Sequence, residues 1–589
     1  MAIKPYTALN PLSPVPTASG RRHGASKSAW LPELSERALS LLLLLLTLPA
    51  VSAADAPFAA ADAPPPVPAV ATSPAEAASN TAKGPSFYIK EFRVLGSHLL
   101  SRTEIEEAVY PYMGPERMPD DVEQARASLE KMIQGKGYGT VSVQIPQQTG
   151  KHGIVFLQVV EAKVGRLNVE GSRFFTLDAI KKGVPSLAPG TVPNFNQVST
   201  EIMALNKWGD RQVTPSITQG FEPGTMDVTL NVKDTFPLHG SAEYNNRYSP
   251  NTVPDRLNLA ASYDNLWQLG HSIGGSFQET PQNPSQSESW NVFYTARFPK
   301  VDWLRLNLSY TSQSGNVSTL GGSASTSPGQ TAAFRFLAAL PSEKDFSQSL
   351  SAGIDFKRLN QSTLIPNGGG KIDTPLEYWP IRVNYTALWT PKDSTTIFDA
   401  GISFGIRGAQ IGTNGTQNNY NNLRYNSDGG FFVLSGDLSH THDLPGGFQL
   451  YGKVQGQVSP NPLVYSEQYS GGGLDTARGY LESTQVGDNG VFGSAEFRSP
   501  SLLQGHVGVN EWRVYAFLDG GTLTLNNPLP GQIATFNFAS YGGGSRLRIC
   551  KDLNGSLDVG VPMISEYPSG AVPILAGSVL VTFRIFGEF

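Results

Sequence analysis

The sequence contains almost no cysteine: among 589 residues only Cys550 is one. A single cysteine excludes an internal disulfide and any metal site that needs several thiolates. A scarcity of thiols also fits passage through an oxidising compartment. His440 and His442 would share one face of a strand, but the eight histidines are scattered along the chain. We therefore expect neither a metal nor a cofactor.

Charge is also scarce, because charged residues make up 16% of the chain and the net charge is −5. So small a net charge gives no reason to expect nucleic acid as a partner. Glycine (61 residues), proline (43 residues) and aromatic side chains (10%) are abundant instead. This composition is typical of a β-rich chain with many turns.

Long apolar runs are rare. The longest, ALSLLLLLLTLPA at 38–50, is shorter than the ~20 residues that a membrane-spanning helix needs. Basic residues precede it, and small residues follow it up to Ala53. This arrangement predicts a signal peptide over 1–53 and an exported chain without a transmembrane helix.

A convincing catalytic motif is missing as well. GHSIG at 270–274 has the form G-x-S-x-G, but it lies in strand-like alternating sequence and not between a strand and a helix, as a nucleophile elbow does. The chain has no H-E-x-x-H, and no Ser/His/Asp set stands out. GGGK at 368–371 lacks the spacing of a phosphate-binding loop. The sequence therefore predicts that the protein is not an enzyme.

The segment 54–86 is rich in alanine and proline and predicts a linker. Inside it, SPAE at 73–76 has the composition of a helix start, and alanine-rich sequence continues to Lys83. A short helix over 73–83 and a disordered tether fit this composition equally well.

A tandem repeat follows the linker. FRVLGSHLLSRTEIEEAV at 92–109 aligns with LNVEGSRFFTLDAIKKGV, which lies 75 residues later. The identical pairs are Val94/Val169, Gly96/Gly171, Ser97/Ser172, Ile105/Ile180 and Val109/Val184. The repeat predicts two small α+β domains at 87–162 and 163–234. Each would read strand, glycine turn, two helices and two strands, burying a helical layer on one sheet.

For the first unit the pattern gives specific bounds. We expect strands at Phe87–Val94, Gly139–Ile145 and Ile154–Val160. We expect helices at Thr103–Tyr110 and Asp120–Gly135.

Strict alternation of apolar and polar residues replaces helical periodicity over 235–589. In WNVFYTARF, for example, Trp290, Val292 and Tyr294 oppose Asn291 and Thr295. A soluble β-sandwich with one dry face fits such alternation too. The polar opposite face, the strand lengths near ~9–11 residues and the apolar C-terminal VLVTFRIFGEF favour a membrane barrel instead. We expect a closed antiparallel barrel of about sixteen strands, within a range of about fourteen to eighteen.

Three motifs lie late in this region. GGGLDTARGY at 471–480 starts with glycines that hold neither helix nor strand. EFR at 496–498 and FLDGG at 517–521 lie in strand-like sequence. On spacing alone, Arg478 is a solvated loop arginine, and Asp519 is an unrelated strand residue.

Taken together in this order, the leader, the repeats, the barrel pattern and the motifs resemble a known family over about residues 87–589. It is the ShlB/FhaC/HecB-type haemolysin secretion/activation family, the outer-membrane transporters of two-partner secretion in the BamA/TamA superfamily. ARGY is similar to the family's V-R-G-Y/F loop motif, and FLDGG to its F-x-D-x-G strand motif. The departures are Ala477 for Val or Ile, His271 where an acid is common, and Gly587 where an aromatic group is usual.

The resemblance implies that loop 471–483 folds back into the barrel lumen. Arg478 would then pair with Asp519 on the inner wall, since a guanidinium fork suits a carboxylate. The remaining residues that the resemblance assigns are Gly479 and Tyr480 in the loop, and Glu496, Arg498, Phe517 and Gly521 on the wall.

The implied function is export of an unfolded haemolysin- or adhesin-like exoprotein, or of a contact-dependent toxin, across the outer membrane without ATP. The POTRA-like domains would lie in the periplasm of a Gram-negative bacterium and bind this large partner at exposed sheet edges. The 73–83 segment would plug the barrel. Further expected partners are outer-membrane lipid and the barrel-assembly machinery for insertion, with a monomeric chain and no nucleic acid. The alternatives are an outer-membrane protein assembly or insertion factor and a passive porin or receptor. Two repeats rather than more speak against an assembly factor, and a porin would not need a tandem repeat.

Overall fold

The structure of the chain is a computed structural model. It describes residues 86–148, 151–298, 301, 303–315, 328–364, 371–408, 414–503, 509–550, 552–568 and 571–589. These residues belong to the second of two compact units, Lys83–Phe589. The predicted signal peptide, linker and plug segment lie outside the described residues. No helix in the described ranges is long and apolar enough to cross a membrane.

The first module combines two helices with two small sheets. Its elements are β1 (Phe87–Ile89), β2 (Glu91–Leu95), α1 (Arg102–Val109), β3 (Gly114–Arg117), α2 (Pro119–Gly135), β4 (Val141–Gln144) and β5 (Ile154–Glu161). The sheet order is β2-β5-β4, with β5 parallel to β2 and antiparallel to β4. Both helices pack their apolar faces on this sheet, where Leu129, Ile133 and Leu157 are fully buried.

Local signals explain the two helices. Ser101 and Glu104 form a capping box at the start of α1, and Pro119 occupies the first turn of α2. The predicted single strand Phe87–Val94 is wrong. The chain breaks at Lys90, whose N–H donates to the Gly153 carbonyl. The part before this break, β1, pairs with β3 in a separate two-stranded sheet that the periodicity did not indicate.

The second module repeats this architecture. It consists of β6 (Lys163–Glu170), α3 (Leu177–Lys182), α4 (Phe195–Leu205), β7 (Arg211–Gln219) and β8 (Thr225–Asp234), with sheet order β6-β8-β7. The repeated glycines have one physical cause. A Cβ on Gly96 would lie 2.7 Å from the Val159 carbonyl oxygen, and one on Gly171 would lie 2.4 Å from that of Val232. Both also have positive φ, at 76° and 83°.

The remainder of the described chain forms a closed antiparallel barrel. Its first strands are β9 (Leu238–Asn245), β10 (Arg256–Leu266), β11 (His271–Glu279), β12 (Glu288–Arg297), β13 (Leu304–Gln313), β14 (Gly329–Ala339), β15 (Phe346–Leu364), β16 (Lys371–Tyr378) and β17 (Ile381–Trp389). The wall continues with β18 (Ser394–Phe404), β19 (Phe432–Asp443), β20 (Gln449–Val458), β23 (Asn489–Arg498), β24 (Val509–Thr524), β25 (Thr535–Ile549), β26 (Leu553–Pro562) and β27 (Leu580–Glu588). Between β20 and β23 lie the short strands β21 (Tyr469–Gly471) and β22 (Gln485–Gly487), which pair with each other.

The barrel confirms the predicted architecture. β16 and β17 pair with successive halves of β15 and together occupy one position, so the described wall has sixteen strand positions. Apolar side chains such as Val292, Val454 and Leu518 are exposed on its outer surface. That surface suits lipid, and closure leaves no unpaired strand edge in the membrane.

One helix in the barrel region was not foreseen. Residues Gln417–Leu423, in the connection between β18 and β19, form α5. Its sequence QNNYNNL is polar and carries no apolar periodicity, so the pattern gave no signal. Capping by Thr416 and Asn419 and the buried ring of Tyr420 stabilise it instead.

The second module contacts the barrel at the turn between β10 and β11. The Trp208 indole lies against Gly270, where a Cβ would be 2.2 Å from the ring. The Arg211 guanidinium stacks on Trp208 at 4.7 Å and on Phe175 at 4.9 Å. Burial, with a smaller contribution from nearby Arg297, lowers the pKa of Arg211 to about 10. This turn therefore lies at the end of the barrel nearest the modules, and β9 runs from it toward the opposite, outer end.

Candidate functional site: the loop inside the barrel

The connection between β20 and β23 starts at the outer end of the barrel and folds into the lumen. β21 and β22 form its stem, and residues 471–483 form its tip. Arg478 and Tyr480 are buried there, at 5% and 1% exposure. The segment that spacing alone describes as a solvated loop is therefore enclosed by the wall.

The glycines at 472 and 473 are required by both conformation and space. Their φ angles are 99° and 98°, a region that side chains rarely adopt. A Cβ on Gly472 would lie 2.5 Å from the Leu481 carbonyl oxygen, and one on Gly473 would lie 2.3 Å from the Glu482 carboxylate. The tip thus doubles back on itself within a few residues.

Arg478 contacts Asp519 as a fork. Its Nε and Nη2 donate to the two carboxylate oxygens, each at 2.8 Å, and its backbone N–H donates to Oδ2 at 3.0 Å. Nη1 donates to Glu496 at 2.6 Å, and Nη2 also donates to the Ser494 hydroxyl at 3.0 Å. All three side-chain nitrogens of Arg478 therefore bond to the wall, and hydrogen bonds between charged groups are the strong ones.

Strand register brings these partners together. Ser494 and Glu496 on β23 lie directly opposite Asp519 and Phe517 on β24. All four point inward, because inward positions recur at every second residue. The sequence motifs named Asp519 and Glu496 but gave no register, so Ser494 was missed.

The aromatic ring of Phe517 stacks against the guanidinium of Arg478. The Cζ atom of Arg478 lies 3.6 Å from the centre of the Phe517 ring, a cation–π contact. Space for the ring comes from Gly542 on β25, where a Cβ would lie 2.5 Å from the ring and 2.0 Å from the Val559 carbonyl oxygen. Gly521 similarly makes room for the Phe492 ring, at 2.3 Å.

Glu496 is shared between several arginines. Arg498 donates to it at 2.6 and 2.8 Å, and Arg546 on β25 approaches at 3.3 Å. Sequence reasoning assigned Arg498 but missed Arg546. It also missed Asp558, which accepts a hydrogen bond from Tyr515 at 2.6 Å and lies 3.6 Å from Arg478. The alternation of residues on β25 and β26 places Arg546 and Asp558 on the inward face of the barrel. That alternation was the signal that could have found them.

Tyr480 and Gly479 attach the tip to β25 and β26. The Tyr480 hydroxyl donates to the Ile564 carbonyl at 2.7 Å and to that of Ala539 at 3.0 Å. Gly479, with φ of 90°, crosses Gly560 so closely that a Cβ on Gly560 would lie 2.4 Å from the Gly479 nitrogen. The R-G-Y sequence thus supplies a charge anchor, a crossing point and a hydrogen-bonded ring.

The base of the loop has a separate ionic anchor. Glu467 accepts from Lys357 at 2.6 Å, from Tyr378 at 2.7 Å and from Arg382 at 2.9 Å. Asp488, fully buried, accepts from Arg424 in the segment that follows α5. None of these residues belongs to the sequence motifs, because each is one polar residue among many in an alternating strand or loop.

A polar cavity of about 610 Å³ adjoins the loop. Residues that line it include Lys453, Asp475, Arg498, Arg513, Arg546 and Arg584. Within the described ranges, one group has the ligand spacing of a metal site: Asp210, His239 and Asp264. The Nε2 atom of His239 lies 2.9 Å from Oδ1 of Asp210, within hydrogen-bonding distance, at the junction of module and barrel.

This architecture defines a class: outer-membrane β-barrel transporters that carry POTRA domains. The family model for the haemolysin secretion/activation protein ShlB/FhaC/HecB matches residues 224–547, and the model for the ShlB-type POTRA domain matches 87–162. The chain belongs to the ShlB/FhaC/HecB haemolysin secretion/activation family. It is an outer-membrane transporter of two-partner secretion, with its POTRA domains in the periplasm and an exoprotein as the partner that this family implies.

Individual relatives agree with this placement. The chain is 21% identical over 542 residues to the outer membrane transporter CdiB of Dickeya dadantii, covering 86% of this chain and 88% of that protein. It is 22% identical over 520 residues to CdiB of Escherichia coli O6:K15:H31, covering 85% and 83%. Each of these matches covers at least 83% of both proteins.

Solved structures share the fold. CdiB from Escherichia coli superposes with a TM-score of 0.56 at 19% identity, covering 87% of this chain and 93% of that one. BamA from Haemophilus ducreyi lacking POTRA domains 1–3 superposes with a TM-score of 0.51 at 13% identity, covering 85% and 100%. At such identities the likeness concerns the fold alone.

Proposed function

We propose that the protein exports a large haemolysin- or adhesin-like exoprotein, unfolded, across the outer membrane without ATP. The observation that carries this proposal is the loop inside the barrel. Side chains attach it at separate points, Arg478 at the tip and Glu467 at the base. A loop attached in this way can leave the lumen as a unit once these contacts break. Folding of the exoprotein outside the cell would favour its outward movement across the membrane.

Capture of the partner needs an open sheet edge, and one edge of each module is closed. On β4, the Val143 N–H donates to Glu130 at 3.0 Å, and its carbonyl accepts from Arg126 at 3.2 Å. On β7, the Val213 N–H and carbonyl are bonded by the Asn206 side chain at 2.6 and 2.9 Å. Side chains occupy the groups that an added strand would use.

Among the described residues, no side chain is bonded to the outward main-chain groups of β2, in contrast to β4 and β7. β2 lies at the edge of its sheet. Lys90 points its N–H toward the Gly153 carbonyl beside β5, so by alternation Glu91, Arg93 and Leu95 turn their main-chain groups outward. We infer that the partner adds an extended segment here, through main-chain bonds that tolerate varied sequence.

The test compares Arg93→Pro with Arg93→Ala in the full-length protein. Both variants lose the same side chain, but only proline removes the outward N–H. Binding to the large product of a neighbouring reading frame should fall in Arg93→Pro and persist in Arg93→Ala. Equal binding by both variants would contradict strand addition at β2. Circular dichroism checks that the module remains folded.

The proposal extends to parts of the chain outside the described residues. Residues 73–83 would plug the barrel, and the proline-rich linker would let them leave when the partner arrives. Deletion of 54–83 should then raise ion conductance in planar bilayers, and unchanged conductance would remove the plug from the scheme. The protein would act as a monomer in outer-membrane lipid, inserted by the barrel-assembly machinery.

A further inference from the structure

The barrel closes where β9 pairs with β27, and this seam is short. Its ladder has five residue pairs, from Asn245 with Arg584 to Ser241 with Glu588. On their other sides, β9 pairs with β10 over eight residues and β27 pairs with β26 over eight. Residues 580–583 of β27, at the outer end of the seam, have ladder partners on β26 but none on β9.

At the end of the ladder, the Asn246 N–H still donates to the Phe583 carbonyl at 3.3 Å, and the Asn246 side chain supplies the remaining bonds. The Asn246 amide donates from Nδ2 to the Val581 carbonyl at 2.8 Å and accepts from the Phe583 N–H at 2.7 Å. After β9 the chain leaves the wall of the barrel, and its next residues are buried against the loop. Beyond Asn246, contacts with the loop take the place of contacts with β27.

Arg247 makes the principal contacts of this extension. Its Nε donates to Glu482 at 2.7 Å and its Nη2 donates to Asp475 at 2.6 Å. Its side chain is 7% exposed and that of Glu482 is 5% exposed. The Glu482 N–H also donates to the Tyr248 carbonyl at 3.0 Å. A buried charge pair and a main-chain bond thus join the end of the first strand to the loop.

The same loop is fixed on the other side of the seam. Arg478 binds Asp519 on β24, and Gly479 crosses Gly560 on β26. Around the wall, the order is β24-β25-β26-β27-β9. The loop therefore reaches across β27 from the inside and holds both sides of the seam.

We propose that Arg247 is a positioning residue through which the loop, rather than the sheet, closes the outer end of the seam. Displacement of the loop and loosening of the seam are then one event. The importance of this coupling for export rests on the proposed function, in which the passing partner displaces the loop. The contact itself is a property of the resting barrel.

Hydrogen exchange of the purified full-length protein in detergent tests this coupling. Breaking a buried pair leaves the other charge unpaired, so Arg247→Gln should speed exchange about tenfold or more in both 474–482 and 580–586. Glu482→Gln should do the same from the loop side. Asp475→Asn should give a smaller change in the same direction, because Asp475 is half exposed. Arg305→Gln, at an exposed arginine of β13, is the matched control and should change neither segment.

Faster exchange in 474–482 alone, with 580–586 still protected, would overturn the proposal, because Arg247 would then anchor the loop without affecting the seam. Unchanged exchange in both segments would overturn it as well. A shift in gel mobility on heating shows for each variant that the barrel has folded. Because the experiment uses no exported partner, its result can be interpreted even if the proposed export function is wrong.

Discussion

At the scale of single residues, Arg478 makes three contacts at once that lysine cannot combine. It forks onto Asp519 while also reaching Glu496 and stacking on Phe517. Lysine keeps the charge but offers a point donor on a flexible stem.

We therefore predict that Arg478→Lys weakens the loop anchor by about 1–3 kcal/mol. The temperature at which the barrel loses its heat-dependent gel shift should fall, and secretion should fall with it. Arg305→Lys is the control and should behave like the unaltered protein. An Arg478→Lys protein with full thermal resistance and full secretion would show that the fork is unnecessary.

The glycines of the wall give a second prediction at this scale. Gly542→Ala would force a Cβ to within 2.0 Å of the Val559 carbonyl oxygen and 2.5 Å of the Phe517 ring. We expect destabilisation of about 1–3 kcal/mol, measured as a lower temperature of heat modification. Gly452→Ala is the matched control, since nothing lies within 4 Å of its Cβ. Equal effects of the two substitutions would contradict the packing described for Phe517.

The sequence predicted the chemistry of this site better than its geometry. Motif resemblance selected Arg478, Asp519 and Glu496, and the structure places them in contact. Ser494 and Asp558 were missed because alternation tells which face a residue occupies but not which residue lies opposite. Arg247 was missed for a related reason: it follows the last paired residue of β9, where no pattern operates.

At the scale of elements, α1 depends on a charged cap. The Lys136 ammonium, together with the Ser101 backbone N–H and hydroxyl, lowers the pKa of Glu104 to about 2, below its ordinary value of 4.5. Because the pKa is lower in the folded state, the carboxylate stabilises the fold above about pH 4.5. This contribution is lost as pH falls through about 2.

We predict that Glu104→Gln reduces the protection of α1 amides from hydrogen exchange at neutral pH. The difference from the unaltered protein should close between pH 4.5 and about 2. Rates are compared at each pH with those of an unstructured peptide. Glu107→Gln, at an exposed position of the same helix, is the control. A difference that persists unchanged at pH 2 would mean that the carboxylate charge plays no part.

Element types were predicted more reliably than their bounds. α2 was expected at Asp120–Gly135 and spans Pro119–Gly135, because its apolar spacing extends over several turns. β1 and β2 were expected as one strand, since a break after three residues leaves alternation intact. β15 extends over nineteen residues, and its partner is split at Trp379 and Pro380 into β16 and β17, which proline explains by its missing N–H.

At the scale of the whole molecule, the fold requires two environments at once. The outer wall exposes apolar residues such as Leu450 and Val491, while the buried charges face inward around the loop. The repeated modules stay outside the membrane and present the open edge of β2. The division into modules and barrel can be predicted from the sequence alone, because helical periodicity and strict apolar/polar alternation occupy different parts of the chain.

The most direct measurement is export in a host that lacks both the transporter and its partner. The large product of a neighbouring reading frame is expressed with the unaltered chain, with Arg478→Lys or with no transporter, and its surface exposure is scored by protease added to intact cells. The account predicts partner outside the cell with the unaltered chain, less with Arg478→Lys, and retention in the periplasm without the transporter. Equal amounts outside the cell in all three strains would contradict it.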